Sequence, residues 1–287
     1  EKADKCSNPI SAPLLSILLQ VCLILKNPEE YRKYRDLAVS NGMHELPLDA
    51  YDACAYELDG NIFQSKALFD KIATTSLDYP ILENALRFYK RNKFFSECEE
   101  LYLRIQNLYK NNDIVINDIE SFYQEAMHFL VTNNSHITEE FFNKIDKSDL
   151  QEKCYYSIKA SFCSATNNVV QLLDSLDFLY NESQSFTDGF NKALCHRWLQ
   201  NYDESLEESL KLLNKVSNED EKVKTYWLIS DLYLLKGDMD TSFEWAKKAH
   251  DLKAQNPFDQ SHPAFFTRAV RSGHYEGLAT TLEYKKI

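Results

Sequence analysis

Proline and glycine are scarce in this chain, which has seven prolines and six glycines in 287 residues. No proline occurs between Pro80 and Pro257. A sheet protein made of short strands needs many tight turns, and these two residue types form most of them. Their scarcity argues against a turn-rich β fold and favours long helices.

Positive charge is also in deficit, because 32 Lys and Arg face 44 Asp and Glu. The formal net charge is −12 and the sequence pI is about 5.1. Phosphate backbones and anionic lipid surfaces repel such a chain. The composition therefore argues against nucleic acid and against a membrane surface as partners.

Long hydrophobic runs and paired cysteines are missing as well. The longest apolar run, 13–25, falls short of the roughly 20 residues that span a bilayer, so it predicts a buried helix. Seven scattered cysteines contain no Cys-x-x-Cys pair, which favours reduced thiols that pack as small apolar side chains. With no convincing secretion signal, we expect a cytoplasmic protein.

Signatures of catalysis and of metal binding are absent from the sequence. There is no His-Glu-x-x-His, no glycine-rich phosphate loop and no nucleophile elbow. Cys195 and His196 are adjacent, but successive helical residues point in different directions, so they do not form a nucleophile and base. Clustered acids such as Glu204 and Glu207 are typical of a solvated helix face. We expect no enzymatic activity, no metal and no cofactor.

The sequence does contain a motif that recurs, in altered form, with a period of about 35 residues. Its clearest copies lie at 58–69, 90–102, 200–206 and 235–246. Each copy predicts a helix, a tight polar turn and a second helix, and a period of this length indicates stacked helical hairpins. The fold class expected is therefore all-α, an α-solenoid of about eight antiparallel hairpins.

The register of the hairpins follows from turn residues and from small residues at one helix position. Gly60, Gly237 and Gly273 share the turn, and the second helices share a position held by Ser65, Cys98, Ser205 and Ser242. The fourth hairpin breaks the apolar phase and is expected to be irregular. A single array over 1–287 is predicted, with hairpins at 11–41, 48–74, 80–110, 114–146, 149–181, 187–216, 222–254 and 263–285.

The seventh hairpin shows the packing logic most clearly. Its first helix offers Tyr226, Ile229 and Tyr233 on one face, and its second offers the small residues Ser242 and Ala246. Large side chains are expected to pack against small ones, so that the helix axes approach closely. This unit resembles a tetratricopeptide repeat through Tyr226, Ile229, Ser230, Tyr233, Gly237, Ser242, Ala246 and Ala249.

The units at 49–80, 82–110 and 187–216 resemble the same repeat less closely. The resemblance implies a right-handed superhelix whose concave wall consists of first helices and holds peptides or extended partner segments. Carried onto this sequence, the wall is lined by Glu83, Arg87, Lys90, Thr187, Phe190, Leu194, Arg197, Lys224, Trp227 and Asp231.

Basic and aromatic side chains in the groove of an acidic protein suggest a partner with acidic or C-terminal groups. The alternative is that these residues form ordinary solvated helix faces. The best-known carboxylate clamp of this repeat family requires Lys and Asn on neighbouring first helices. Phe190 and Leu194 stand at two of the expected places, which does not support a chaperone-tail adaptor.

Two functions from different classes remain open. The first is a non-enzymatic protein-interaction scaffold, and the second is a regulatory module that controls a fused or associated effector domain. Recognition of RNA by helical repeats shares the period but calls for a basic chain, so it ranks last. The chain ends suggest a module of a larger protein, and the oligomeric state is open.

Overall fold

The computed structural model describes residues 10–43, 45–216 and 218–253, and all regular structure in these residues is helical. The predicted all-α array of helix hairpins is confirmed. The helices are α1 (Ala12–Ile24), α2 (Pro28–Ser40), α3 (Glu45–Leu58), α4 (Ile62–Thr75), α5 (Tyr79–Arg91), α6 (Phe95–Lys110), α7 (Ile119–Thr132), α8 (Thr138–Asn143), α9 (Glu152–Ala165), α10 (Val169–Ser183), α11 (Phe186–Trp198), α12 (Tyr202–Leu213), α13 (Glu219–Leu235) and α14 (Met239–Lys253).

The chain divides into two compact units. The first comprises 1–122 with 135–144, and the second comprises 123–134 with 145–287. In the first unit the hairpins α1–α2, α3–α4 and α5–α6 stack in sequence order, with α1 against α3 and α3 against α5. In the second unit the hairpins α9–α10, α11–α12 and α13–α14 also follow in sequence order, with α10 against α11, α12 against α13 and α11 against α13. One array along the whole chain stays a prediction, and the eighth hairpin, 263–285, lies outside the described residues.

In six hairpins the first helix is followed by a left-handed residue and the same backbone hydrogen bond. Those residues, with φ between 51° and 84°, are Lys26, Gly60, Lys93, Asn167, Gln200 and Gly237. In each turn the next N–H donates to a carbonyl five residues back, as from Asn61 to Tyr56 at 2.8 Å. The sequence located this turn at its glycines, but four hairpins adopt the same geometry without glycine.

In four of these six turns the residue after the left-handed position caps the second helix. Asn61 Oδ1 accepts from the backbone N–H of Gln64 at 3.3 Å, and Asp238 accepts from Thr241 at 3.0 Å. A side-chain oxygen at this place satisfies a donor that the first helical turn leaves free. The turn therefore stops one helix and starts the next within two residues.

Four hairpins have a buried small residue at the shared position predicted from the sequence, and in three of them its hydroxyl joins the two helices. The Ser65 hydroxyl donates to the Ala53 carbonyl at 2.8 Å, and the Ser205 hydroxyl donates to Ala193 at 2.7 Å. In the seventh hairpin Ser242 donates to the Ser230 carbonyl at 2.7 Å. All three pairs are separated by 12 residues and are fully or almost fully buried. The hydroxyl thus fixes the two helices at close distance.

The seventh hairpin packs as its sequence predicts, with large residues facing small ones. Ile229 is fully buried, and so are Ala246 and Ala249 across the joint. The rings of Tyr226 and Trp245 lie 5.5 Å apart at its edge. The expected irregularity of the fourth hairpin appears as a second helix of only six residues, followed by a 3₁₀ turn at Lys147–Asp149.

The apolar run 13–25 forms α1, but the prediction that it is buried holds for one face only. Leu15, Leu19 and Cys22 are buried, whereas Ile17 and Val21 are 55% and 42% exposed. The α1 helix contacts α2 and α3. Those two contacts cover the buried face and leave the other in solvent.

Gly189 in α11 gives a test of helix spacing. A Cβ at this position would lie 2.7 Å from Leu212 Cδ2 and 2.7 Å from Tyr180 Cε2, both on buried side chains. We expect Gly189→Ala to lower the unfolding free energy by about 1–3 kcal/mol through overpacking. In an isolated helix the substitution of Gly by Ala is stabilising by about 1 kcal/mol. The sign of the change in unfolding free energy therefore distinguishes overpacking from helix propensity. Urea-unfolding midpoints measure it, with exposed Asn191→Ala as the control. A higher midpoint for Gly189→Ala would contradict this packing.

The serine joint gives a second test. Because Cys98 fills the equivalent buried place in the third hairpin, we expect Ser65→Cys to cost no more than about 1 kcal/mol. Ser65→Leu should cost about 1–3 kcal/mol more, since the helices cannot move apart without losing contacts. Thermal unfolding of both variants, beside exposed Ser96→Leu, measures the difference. Equal melting of the Cys and Leu variants would show that the joint tolerates bulk.

Candidate functional site

The first helices of the first unit enclose an open cavity of about 590 Å³, which we name the first groove. Its walls come from α1, α3 and α5, the first helices of three successive hairpins. Second helices do not contribute, because they pack on the opposite side of their partners. A groove of this kind follows directly from stacking hairpins in register.

The floor of the first groove is apolar and partly in contact with solvent. Ala50 is buried, Ile81 is partly buried, and Leu58 and Ile24 are 48% and 77% exposed. Large apolar side chains left in water inside a cavity mark a binding surface more often than a folding core.

The rim of the first groove is polar. It carries Gln20, Asn84, Arg87 and Arg91, with Glu57 as its acidic member. Two arginines and one glutamate therefore line this cavity, in a chain of net charge −12. The first groove is thus richer in arginine than the acidic protein as a whole.

The two arginines of the rim are held differently. Arg91 donates to both carboxylate oxygens of Glu57, at 3.1 and 2.6 Å, and this pairing raises the pKa of Arg91. Arg87 pairs with Glu83 one turn earlier on α5 at 2.7 Å, with the Arg87 side chain 58% exposed. An exposed pair of this kind contributes only about 0.3–0.5 kcal/mol. The Arg87 guanidinium can therefore exchange Glu83 for another carboxylate at small cost.

A cavity of about 330 Å³ in the second unit, which we name the second groove, lies between α9, α10 and α11. Small residues such as Ser157, Ala160 and Ser161 form its α9 wall. On the α11 side, Asn191 and the 53% exposed Trp198 face them. This cavity has room near its small-residue wall and an aromatic ring at its edge.

The residues predicted for the second unit do not line the second groove. Phe190 stacks on Phe186 with ring centres 5.4 Å apart and packs against the Ala193 and Leu228 cluster. Arg197 on α11 lies 3.5 Å from Asp231 on α13. These contacts place the predicted residues on the side of α11 that faces α13.

Three of the predicted residues share one face of α13. Lys224 is exposed, while Trp227 and Asp231 are partly buried, and the spacing i, i+3, i+7 puts them in a row. Of the three residues predicted for the first unit, only Arg87 lines the first groove. Glu83 is its ion-pair partner, and Lys90 directs its ammonium group toward the Tyr102 ring, 5.2 Å from the ring centre.

The sequence analysis missed the residues of the first groove on α1 and α3, because in the first unit it predicted wall residues on α5 only. A signal for one of them exists in the sequence. Glu57 and Arg91 are opposite charges 34 residues apart, as are Arg197 and Asp231. A separation of one repeat places two side chains at equivalent positions of neighbouring hairpins, where they can pair.

Both grooves contain one cysteine, and neither thiol is activated. Burial raises the pKa of Cys54 to about 11 and that of Cys195 to about 11. The thiolate is the form that attacks substrates and binds metals, so at neutral pH both residues act as small apolar side chains. Within the described ranges, no three His, Cys, Asp or Glu residues come close enough together to hold a metal ion.

A third cavity, of about 310 Å³, lies between the first two hairpins. Its buried polar groups already have partners, since Asp52 accepts from Tyr31 Oη at 2.8 Å and from Arg35 Nη2 at 2.9 Å. Burial and this hydrogen bond raise the pKa of Tyr31. The cluster thus serves to join α2 to α3, and the cavity is a product of that junction.

Among the described helices, none has the length and apolar character needed to cross a membrane. No family model matches the sequence, and no curated protein matches it.

Solved structures do resemble the chain. The C-terminal part of a TPR repeat-containing protein from Cytophaga hutchinsonii gives a TM-score of 0.56 at 9% identity, over 85% of this chain and 96% of that one. A tetratricopeptide repeat protein from Parabacteroides merdae gives a TM-score of 0.42 at 11% identity, over 91% of this chain and 98% of that one. Yeast Tom70 gives a TM-score of 0.44 at 14% identity, over 97% of this chain and 58% of that one. At such identities the likeness concerns the fold alone, and the first comparison carries it. The chain has the fold of a tetratricopeptide-repeat-like helical repeat protein.

Proposed function

We propose that this chain is a non-enzymatic scaffold that binds an extended segment of a partner protein in the first groove. The observation that carries the proposal is the composition of that cavity. Its apolar floor is open to solvent, and its rim carries two arginines in an acidic chain, one of them in an exposed and exchangeable ion pair. Helix packing alone gives no reason to keep Leu58 and Ile24 in water at this place.

The groove suits a segment that combines apolar side chains with a carboxylate. Apolar side chains of the segment would cover Ile24, Leu58 and Ile81, and its carboxylate would replace Glu83 on Arg87. The carboxylate could belong to Asp, to Glu or to a chain terminus. Arg91 would keep Glu57 and give the rim its fixed geometry.

In the second unit, the row Lys224, Trp227 and Asp231 on α13, with Arg197 and Phe190 on α11, is proposed as a further contact surface for the partner. Its one exposed cation is Lys224, and Trp227 provides aromatic area beside it. The regulatory alternative requires an effector domain joined to or bound by this chain, and it stays a prediction. A cytoplasmic location stays a prediction as well.

Selection from a displayed library of random peptides with free C-termini tests the first groove. We expect the purified chain to enrich peptides that carry apolar residues next to a carboxylate. Arg87→Glu should weaken the enriched peptides at least tenfold, because one charge-assisted hydrogen bond contributes about 1.5–3 kcal/mol. Arg32→Glu makes the same charge change at an exposed position outside the groove, and it should leave affinity unchanged. Equal affinity of the wild type and Arg87→Glu would refute the assigned role of the rim.

A double variant, Arg197→Glu with Lys224→Glu, tests the surface of the second unit. We expect lower recovery of the partner in a pull-down from the protein's own cells, at unchanged helicity by circular dichroism, because two positive charges become negative. Recovery equal to that of the wild type would remove this surface from the proposal and leave the first groove to stand alone.

A further inference from the structure

One face of α1 is apolar and exposed along its whole length. Leu14, Ile17, Val21 and Ile24 are 46%, 55%, 42% and 77% exposed, and Leu25 just beyond the helix is 70% exposed. The buried residues of α1 lie on the opposite side, where they join the core of the first unit. The exposed residues therefore form a continuous stripe, which we name the α1 face.

The spacing of the α1 face is that of a helix-pairing seam. Its members follow one another at three, four and three residues, the alternation found at the a and d positions of coiled coils. The flanking position next to this seam is also apolar, since Leu18 and Leu25 occupy it. A second helix can therefore dock along this face with apolar contacts on both sides.

Charge and area indicate what covers the α1 face. No charged residue occurs from Ala12 to Leu25, although the whole chain carries a net charge of −12. The net charge opposes association of two copies in general, whereas the α1 face itself adds no charge repulsion. The exposed side chains offer on the order of 500 Å², the upper range for patches on monomers. Two such faces in contact would bury on the order of 1,000 Å² in total, the lower limit for a specific interface.

We propose that two copies of the chain associate through their α1 faces. The contact is isologous, because the same stripe on each copy meets its counterpart across a two-fold axis. Ile17 and Val21 lie at its centre, and Leu14 and Ile24 lie toward its ends. Ile24 also lines the first groove, so its substitution would report on two surfaces at once.

Sedimentation velocity tests the proposal over a protein concentration from about 1 to about 100 µM, the range suited to an interface of this size. The wild-type chain should shift from monomer to dimer. Ile17→Glu with Val21→Glu should stay monomeric, because each copy would place two carboxylates in the seam. Phe63→Glu with Val115→Glu is the matched control, since it adds the same two charges at apolar residues 84% and 80% exposed elsewhere. This control should dimerise like the wild type.

Four results would overturn the proposal. One is a wild-type chain that stays monomeric throughout the range, and another is a dimer that survives the α1 double variant. The third is a loss of thermal stability in the α1 variant at a protein concentration where the wild type is also monomeric, which would show that the stripe is covered within a single copy. Milder changes, Ile17→Ser with Val21→Ser, repeat the measurement without added charge. Binding to neutral phosphatidylcholine vesicles in place of self-association would assign the face to lipid and would likewise refute it.

Discussion

The close contact between the two helices of a hairpin is the constraint on which the rest of this structure depends. A small buried residue on the second helix, Ser65 in the second hairpin and Ser205 in the sixth, lets the axes approach, and its hydroxyl bonds to the first helix. Because one side of each first helix is used in this way, another side is free to meet the next hairpin. The remaining side faces neither, and in the first unit this third side forms the first groove.

Electrostatics follows the same repeat. Side chains one repeat apart occupy equivalent places on neighbouring first helices, so opposite charges there form pairs that join hairpins, as Glu57 and Arg91 do. Pairs within one helix, such as Glu83 with Arg87, are more exposed and contribute less to stability. The distinction matters for function, because a weakly held arginine can bind a new carboxylate while a doubly bonded one keeps its place.

The fold requires few specific residues, which explains why a tetratricopeptide-repeat-like structure is found at 9% identity and no family model matches. The left-handed turn position is filled by glycine in two of the hairpins and by Lys, Asn or Gln in others. The buried joint accepts Ser or Cys. Each site restricts size or backbone angle and leaves side-chain chemistry open, so sequences drift widely while the hairpins persist.

The sequence by itself determined the secondary structure, the hairpin period and the register of the small residues. These depend on local patterns: helical periodicity, scarce glycine and proline, and small residues at one position of four hairpins. Arg87 lines the first groove because its position on α5 follows from that register, and its role in binding stays a prediction.

Only the tertiary structure decided which faces are covered. The run 13–25 is apolar on every side, so its pattern could not show that one face of α1 lacks a neighbour. Phe190 and Arg197 were assigned to a groove from their helix alone, but the packing of α11 against α13 gives them partners there. The burial of a residue depends on which side chains face it from the neighbouring helices. A repeat pattern in the sequence specifies the helix that carries the residue, but it does not specify how the neighbouring helices pack against that helix.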